Sequence, residues 1–90
     1  MKVAELLSDE SKWTTRFLAR DVNNNSCHFN EIYACKWCML GAILKCYGRD
    51  LDGYNKAHLK IRDMTGYDIV GFNDSATYEE VMAVVRKADI

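Results

Sequence analysis

Apolar residues recur at helical spacing through most of this chain. Between Lys2 and about Asp21, Val3, Leu6 and Leu7 are followed by Trp13, Phe17 and Leu18. Ser8-Asp9-Glu10-Ser11 breaks the phase between the two groups, which fits two short helices or one kinked helix. Asn23-Asn24-Asn25-Ser26 is the most loop-like stretch, because asparagine tolerates left-handed backbone and its side chain competes for nearby amides. From a cap at Ser26 or Asn30 the pattern predicts a long helix that ends near Tyr47, with Gly48 as its stop. Thirteen of the sixteen positions from Ile32 to Tyr47 are apolar. A helix apolar nearly all round is surrounded by its neighbours, which puts this one at the centre of the fold. Lys36 and Lys45 would leave it in opposite directions, and the small Gly41-Ala42 step would let another backbone approach closely.

Asp50-Leu51-Asp52-Gly53 reads as a turn and cap for a third helix, in which Tyr54, Ala57, Ile61 and Met64 repeat at helical spacing. Gly66 closes it. Tyr67 to Phe72 is apolar but short, and reads as an extended or irregular piece. Thr77-Tyr78-Glu79-Glu80 matches the capping box and opens a last helix with Tyr78, Val81, Met82, Val85 and Ala88 on its buried face. The forecast is all-α: a compact bundle of four or five helices around a central apolar helix (about 30–47), with at most one very short extended element near 68–72. Trp13, Phe17, Trp37, Leu40, Ile43, Leu44, Ile61, Val81 and Val85 are the expected core. Leu40→Ala should then cost ~2 to 5 kcal/mol if Leu40 is fully buried.

Ninety residues suffice for one domain, 1–90, and are too few for two. With 49% apolar and 28% charged residues the chain should fold, and 12 basic against 13 acidic side chains remove any general attraction to nucleic acid or anionic lipid. The first seven residues lack the apolar region of a secretion signal, so a cytoplasmic location with four reduced cysteines is expected. The longest apolar run is interrupted by Lys36, Gly41 and Lys45, which reads as core and not as a membrane span.

Several short motifs form a recognisable series: Trp13, then Ala19-Arg20-Asp21, then Trp37-Cys38-Met39-Leu40-Gly41-Ala42, then Phe72-Asn73-Asp74 before Thr77 and Val81. Over about Leu6 to Ala88 the chain resembles a small domain of unknown function found in bacterial, especially actinobacterial, and phage genomes. That pattern runs Trp, Ala-Arg-Asp, Trp-Cys-x-x-Gly-Ala and Trp-Asn-Asp. Phe72 stands here where a Trp is usual, and Asn24-Asn25 where a glycine-bearing turn is usual. The resemblance implies a small, largely helical fold and a phage provenance, with Trp13, Trp37, Cys38, Gly41, Asn73 and Asp74 as its structural motif. It carries over no activity, because the family has no established catalytic residues.

The chemistry-bearing residues each have a plainer reading. Cys27, Cys35, Cys38 and Cys46 are symmetrically spaced, but on one helix Cys46 would lie roughly 12 Å beyond Cys38, too far for a shared zinc ion. A smaller metal site of Cys27, His28, Cys35 and Cys38 stays open as an alternative to cysteines that serve as small core residues. The Cys35-Lys36-Trp37-Cys38 spacing also matches a redox pair, although a redox pair needs an exposed first cysteine at a helix N-terminus. Cys27-His28 is poorly placed for a nucleophile and its base, and His58 reads as a flank of the third helix. Asn73-Asp74 reads as a cap for the last helix, and Arg20 as part of a local ion pair with Asp21 or as an anchor for a partner. Arg16, Arg20, Lys56, Lys60 and Arg62 would form a local basic patch if two helices bring them together.

These readings point to a small non-enzymatic domain that binds a host or phage protein, needs no cofactor, and serves as a phage or mobile-element accessory protein that modulates a host defence system. The alternative is a nucleic-acid-associated regulator that uses the basic patch, and after it a small zinc-binding or thiol protein.

Overall fold

The computed structural model describes residues 1–90. The fold is mixed α/β, which corrects the all-α forecast: five α-helices occur with a three-stranded antiparallel sheet. Helix α1 covers Val3–Leu6 and is followed by a single 3-10 turn at Glu10–Lys12. Strands β1 (Ala19–Arg20), β2 (Ser26–Cys27) and β3 (Lys36–Trp37) come next, and then helices α2 (Met39–Tyr47), α3 (Leu51–Thr65), α4 (Ile69–Ser75) and α5 (Tyr78–Ala88).

The sheet is small but topologically informative. β1 lies in the middle, with Ala19 opposite both Cys27 and Trp37, and Arg20 opposite both Ser26 and Lys36. β1 and β2 are joined by the asparagine-rich turn, where Asn24 takes a left-handed conformation (φ 67). Asp21 Oδ1 accepts the Asn23 and Asn25 amides at 2.9 and 3.0 Å, which fixes that turn. Because β2 and β3 both run antiparallel to β1, they run parallel to each other, and residues 28–35 must cross the sheet to connect them.

The long central helix expected over about 30–47 is therefore only its second half. The backbone before Met39 is already engaged: the Cys35 amide donates to Arg20 O at 3.0 Å, the Cys38 amide to Leu18 O at 3.2 Å, and the Thr14 amide to Trp37 O at 3.1 Å. Those pairings hold Cys38 extended, and its Sγ accepts the Gly41 amide at 3.3 Å as the cap of α2. The forecast of an extended piece near 68–72 is corrected in the opposite direction. Asp68 Oδ1 accepts the Gly71 amide at 2.6 Å and starts α4, a cap hidden within an apolar window too short to reveal its period.

The remaining helices follow their signals. Asp50 caps α3 through the Gly53 amide, and Gly66 ends it in the left-handed conformation (φ 75) that glycine adopts without strain. Thr77 and Glu80 form the capping box of α5, at 3.2 and 2.9 Å. The core contains Leu7, Met39, Ile43, Ile61, Ile69, Val81, Met82 and Val85, all essentially fully buried. Trp37 belongs to it as expected, whereas Trp13, Leu40 and Leu44 are half-buried and Phe17 is 47% exposed. Leu40 is thus not a fully buried position.

Two features of this packing have measurable consequences. The backbone that approaches α2 at Gly41 is that of Leu18, and a Cβ at position 41 would overlap the Leu18 carbonyl. Gly41→Ala should therefore destabilise the protein by about 1 to 3 kcal/mol despite the better helix propensity of alanine, as read from urea unfolding. Where the two ends of the chain meet, Lys2 Nζ donates to Asp89 Oδ1 at 3.0 Å and to Asp89 O at 2.9 Å, and the Val3 amide donates to Ile90 O. The Lys2 hydrogen bond lowers the Asp89 carboxyl from its ordinary 3.8, and the Asp89 hydrogen bond raises Lys2 from its ordinary 10.5. Since the Asp89 pKa is depressed in the folded state, its contribution is present above 3.8 and lost as pH falls through the folded value; that of Lys2 is lost as pH rises through a value above 10.5. The stability difference between wild type and Asp89→Asn should accordingly be constant near neutral pH and shrink below the ordinary carboxylate range. A pH series of urea midpoints checks this, and asparagine keeps the left-handed backbone at position 89 (φ 56) unstrained.

Candidate functional site

The dispersed motif residues meet at one place. Asn73, on α4, is fully buried. Its Oδ1 accepts Trp13 Nε1 at 2.7 Å and the Met39 amide at 3.0 Å, while its Nδ2 donates to Thr14 O at 3.1 Å and Asp74 Oδ1 at 3.2 Å. All four hydrogen-bonding positions of the amide are filled. Asp74 Oδ1 also accepts the Arg16 amide at 2.9 Å and so holds Arg16 in the left-handed region (φ 74). Asn73 and Asp74 thus lie near the end of α4 and bind the 13–16 loop and the start of α2; the last helix is capped by Thr77 instead.

Arg20 braces the same loop from the sheet. Its Nε donates to Thr14 Oγ1 at 2.7 Å, its remaining nitrogens to Asn24 O at 2.8 Å and Thr15 O at 3.3 Å, and its guanidinium lies 4.7 Å from the Phe17 ring centre. A guanidinium with three internal acceptors is a scaffold element. The expected ion pair with Asp21 is not formed; the Asp21 carboxylate serves the turn. Of the other members of the expected basic patch, Lys56 and Lys60 lie one turn apart on α3 and line the same groove. Lys56 pairs with Asp52 at 3.1 Å and Lys60 Nζ donates to Ala88 O at 3.2 Å. Arg62 lies about 200° around α3 from Lys60.

The cysteines are all free thiols. Cys35 and Cys38 do not share a helix: Cys35 precedes β3, and Cys38 is the buried cap of α2. Burial pushes the Cys27, Cys38 and Cys46 thiols up, away from thiolate, and in Cys38 it outweighs the opposing Gly41 and Leu40 amides. No three His, Cys, Asp or Glu side chains are arranged to hold a metal ion, so Cys27, His28, Cys35 and Cys38 form no such site. His28 instead stacks on Phe29 and accepts the Asn30 amide at Nδ1, and His58 tilts against Tyr54.

What the sequence pattern concealed is the crossing segment 28–35. Its base is braced: Trp37 Nε1 donates to Phe29 O at 2.9 Å, and the Glu31 and Ala34 amides donate to His28 O and Glu31 O. Its middle projects, with Ile32 98% exposed and Tyr33 56% exposed. The β1–β2 turn lies beside the far end of the segment, where Lys36 Nζ donates to Asn24 Oδ1 at 3.3 Å. One residue beyond Asp21 in that turn, Val22 is 83% exposed. Phe29 and Asn30 also border a groove of about 250 Å³ that is lined as well by Leu44, Lys45 and Cys46 of α2 and by Gly48 and Arg49 just past its end. The signal for this surface was the Asn30-Glu31-Ile32-Tyr33 step, which has β-branched and aromatic residues where a helix would need its first turn.

The chain belongs to the family of unknown function DUF6197, whose family model matches residues 1–89. No curated protein and no solved structure matches it. The junction around Asn73 makes a direct prediction about stability. Asn73→Ala leaves Trp13 Nε1 and the Met39 amide without partners, at ~1 to 3 kcal/mol for each buried group. Urea unfolding followed by tryptophan fluorescence should show a loss in the range of ~2 to 6 kcal/mol, far above that of an exposed substitution.

Proposed function

We propose that this member of the family is a non-enzymatic protein-binding module whose contact surface is the crossing segment 28–35 with the neighbouring β1–β2 turn. The observation that carries the reading is the pairing of a braced base with apolar tips, Ile32 and Tyr33, held in water. Loops positioned by a rigid scaffold are where proteins place binding residues, and clustered exposed apolar side chains mark interaction surfaces. A preorganised segment also loses less conformational freedom on association. The nucleic-acid reading is weaker, because Arg20, Lys56 and Lys60 already have internal partners and Arg62 lies on another side of α3.

The accessory role in phage or mobile elements, as a modulator of a host defence system, rests on the family resemblance and determines the lysate to use. Tagged wild type and an Ile32→Asp/Tyr33→Asp variant are compared in affinity capture from a native or phage-infected host. A stoichiometric protein partner retained by wild type, and lost by a variant with an unchanged thermal midpoint, is the expected outcome. Equal retention by both, or recovery of the bait alone, overturns the reading.

A further inference from the structure

The groove beside the crossing segment has a definite chemistry. Phe29, Leu44 and Cys46 are its apolar lining, and Lys45 near the end of α2 and Arg49 just past it supply two cations. Neither cation is in an ion pair; the two salt bridges of the molecule are Lys2–Asp89 and Lys56–Asp52. Lys45 Nζ is only tethered to Asn30 Oδ1, at 3.2 Å. None of the lining residues is acidic, and burial raises the Cys46 thiol, so that the thiol stays neutral.

We propose that this groove is an acidic-peptide subsite, which seats one apolar side chain of a protein partner on Phe29 and Leu44 and a neighbouring carboxylate between Lys45 and Arg49. The proposal rests on the protein-binding reading and names the partner's chemistry. Its size favours such an occupant. About 250 Å³ holds a leucine or phenylalanine side chain with a carboxylate beside it, and falls short of the 300–1,000 Å³ typical of pockets that enclose a whole cofactor or drug-sized ligand. Arginine recognises a carboxylate through paired hydrogen bonds, and lysine adds a mobile point charge. Asn30 joins the groove directly to Ile32 and Tyr33, so a peptide lying along segment 28–35 would meet the exposed tips and the groove in sequence.

The test uses the full chain and defined probes. The capped peptide Ac-Asp-Leu-Glu-Phe-NH2 and its neutral counterpart Ac-Asn-Leu-Gln-Phe-NH2 are titrated into isotopically labelled protein, with amide chemical shifts as the readout. The acidic peptide should shift Phe29, Asn30 and the 44–49 amides, and bind at least about tenfold more tightly than the neutral one, with the difference shrinking in high salt. Lys45→Gln/Arg49→Gln should remove that preference while leaving the thermal midpoint and the shifts elsewhere unchanged. Equal binding of both peptides, shifts confined to other elements, or no binding overturns the proposal. A single-stranded oligonucleotide that moves the same amides more strongly than the acidic peptide also overturns it, in favour of nucleic acid. The two readings fail separately. Capture sensitive to Ile32 and Tyr33 with an inert groove sinks only the subsite, and an active groove with capture indifferent to those residues sinks the wider surface.

Discussion

One carboxamide determines how the two halves of this protein meet. Asn73 is buried with no solvent to fall back on, and its four bonds tie together α2, the 13–14 loop and the neighbouring Asp74 carboxylate. The Met39 amide belongs to the first turn of α2 and has no acceptor within its own helix. Trp13 Nε1 is a part-buried donor on a ring whose centre lies 6.1 Å from that of Tyr78. Thr14 O belongs to a loop that is also held by the Trp37 carbonyl, by Arg20 and by Asp74, so the Asn73 bond completes its attachment. A buried polar group with all its partners rigidifies and specifies, whereas the same group half satisfied would be a liability. The asparagine thus fixes α4 against α2 and against the loop that leads into the sheet, in a single geometry.

That junction also explains why so small a sheet persists. Two-residue strands bury little surface by themselves. Here β1 is held from three sides: β2 and β3 pair with it, Arg20 ties its end to the 14–17 loop, and Asp74 holds that loop through the Arg16 amide. Leu18 O then accepts the Cys38 amide and passes so close to Gly41 that no side chain fits between. The sheet serves as the connector between loop and helix, and its hydrogen bonds decide where α2 begins.

The same long-range pairing separates what was legible in the sequence from what was not. Helices α3 and α5 carry their own stop and start chemistry in Asp50, Gly66, Thr77 and Glu80, so local reasoning reaches them. Residues 32–38 carry an apolar pattern that suits a helix as well as it suits a strand packed on one side. The partners that decide the matter, Leu18, Arg20 and Asn73, lie 15 to 34 positions away in sequence. Of the motif residues, Gly41 revealed its purpose, close backbone approach, from composition alone. Asn73-Asp74 looked like a cap because both residues commonly are caps, and nothing local shows that their amide and carboxylate face a loop some sixty residues earlier. The exposed surface was hidden for the same reason: once 30–47 is read as one buried helix, Ile32 and Tyr33 become core.

In the crossing segment the structural bonds fall on the backbone at its two ends and leave the side chains at its middle uncommitted. Removing the Ile32 or Tyr33 side chain would expose no buried donor and empty no packed cavity, since both already face water. Side chains that do nothing for the fold yet stand on a segment fixed at both ends, by the Phe29 carbonyl and by the Cys35 amide, are positioned at small cost for something outside it. The grouping of motif residues around Asn73 therefore accounts for how α4, α2 and the 13–16 loop are held together, and Ile32 and Tyr33 take no part in it. In such an arrangement the scaffold tolerates changes in what it presents: Ile32, Tyr33, Val22 and the groove cations can be replaced without disturbing the asparagine-centred frame that holds them in place.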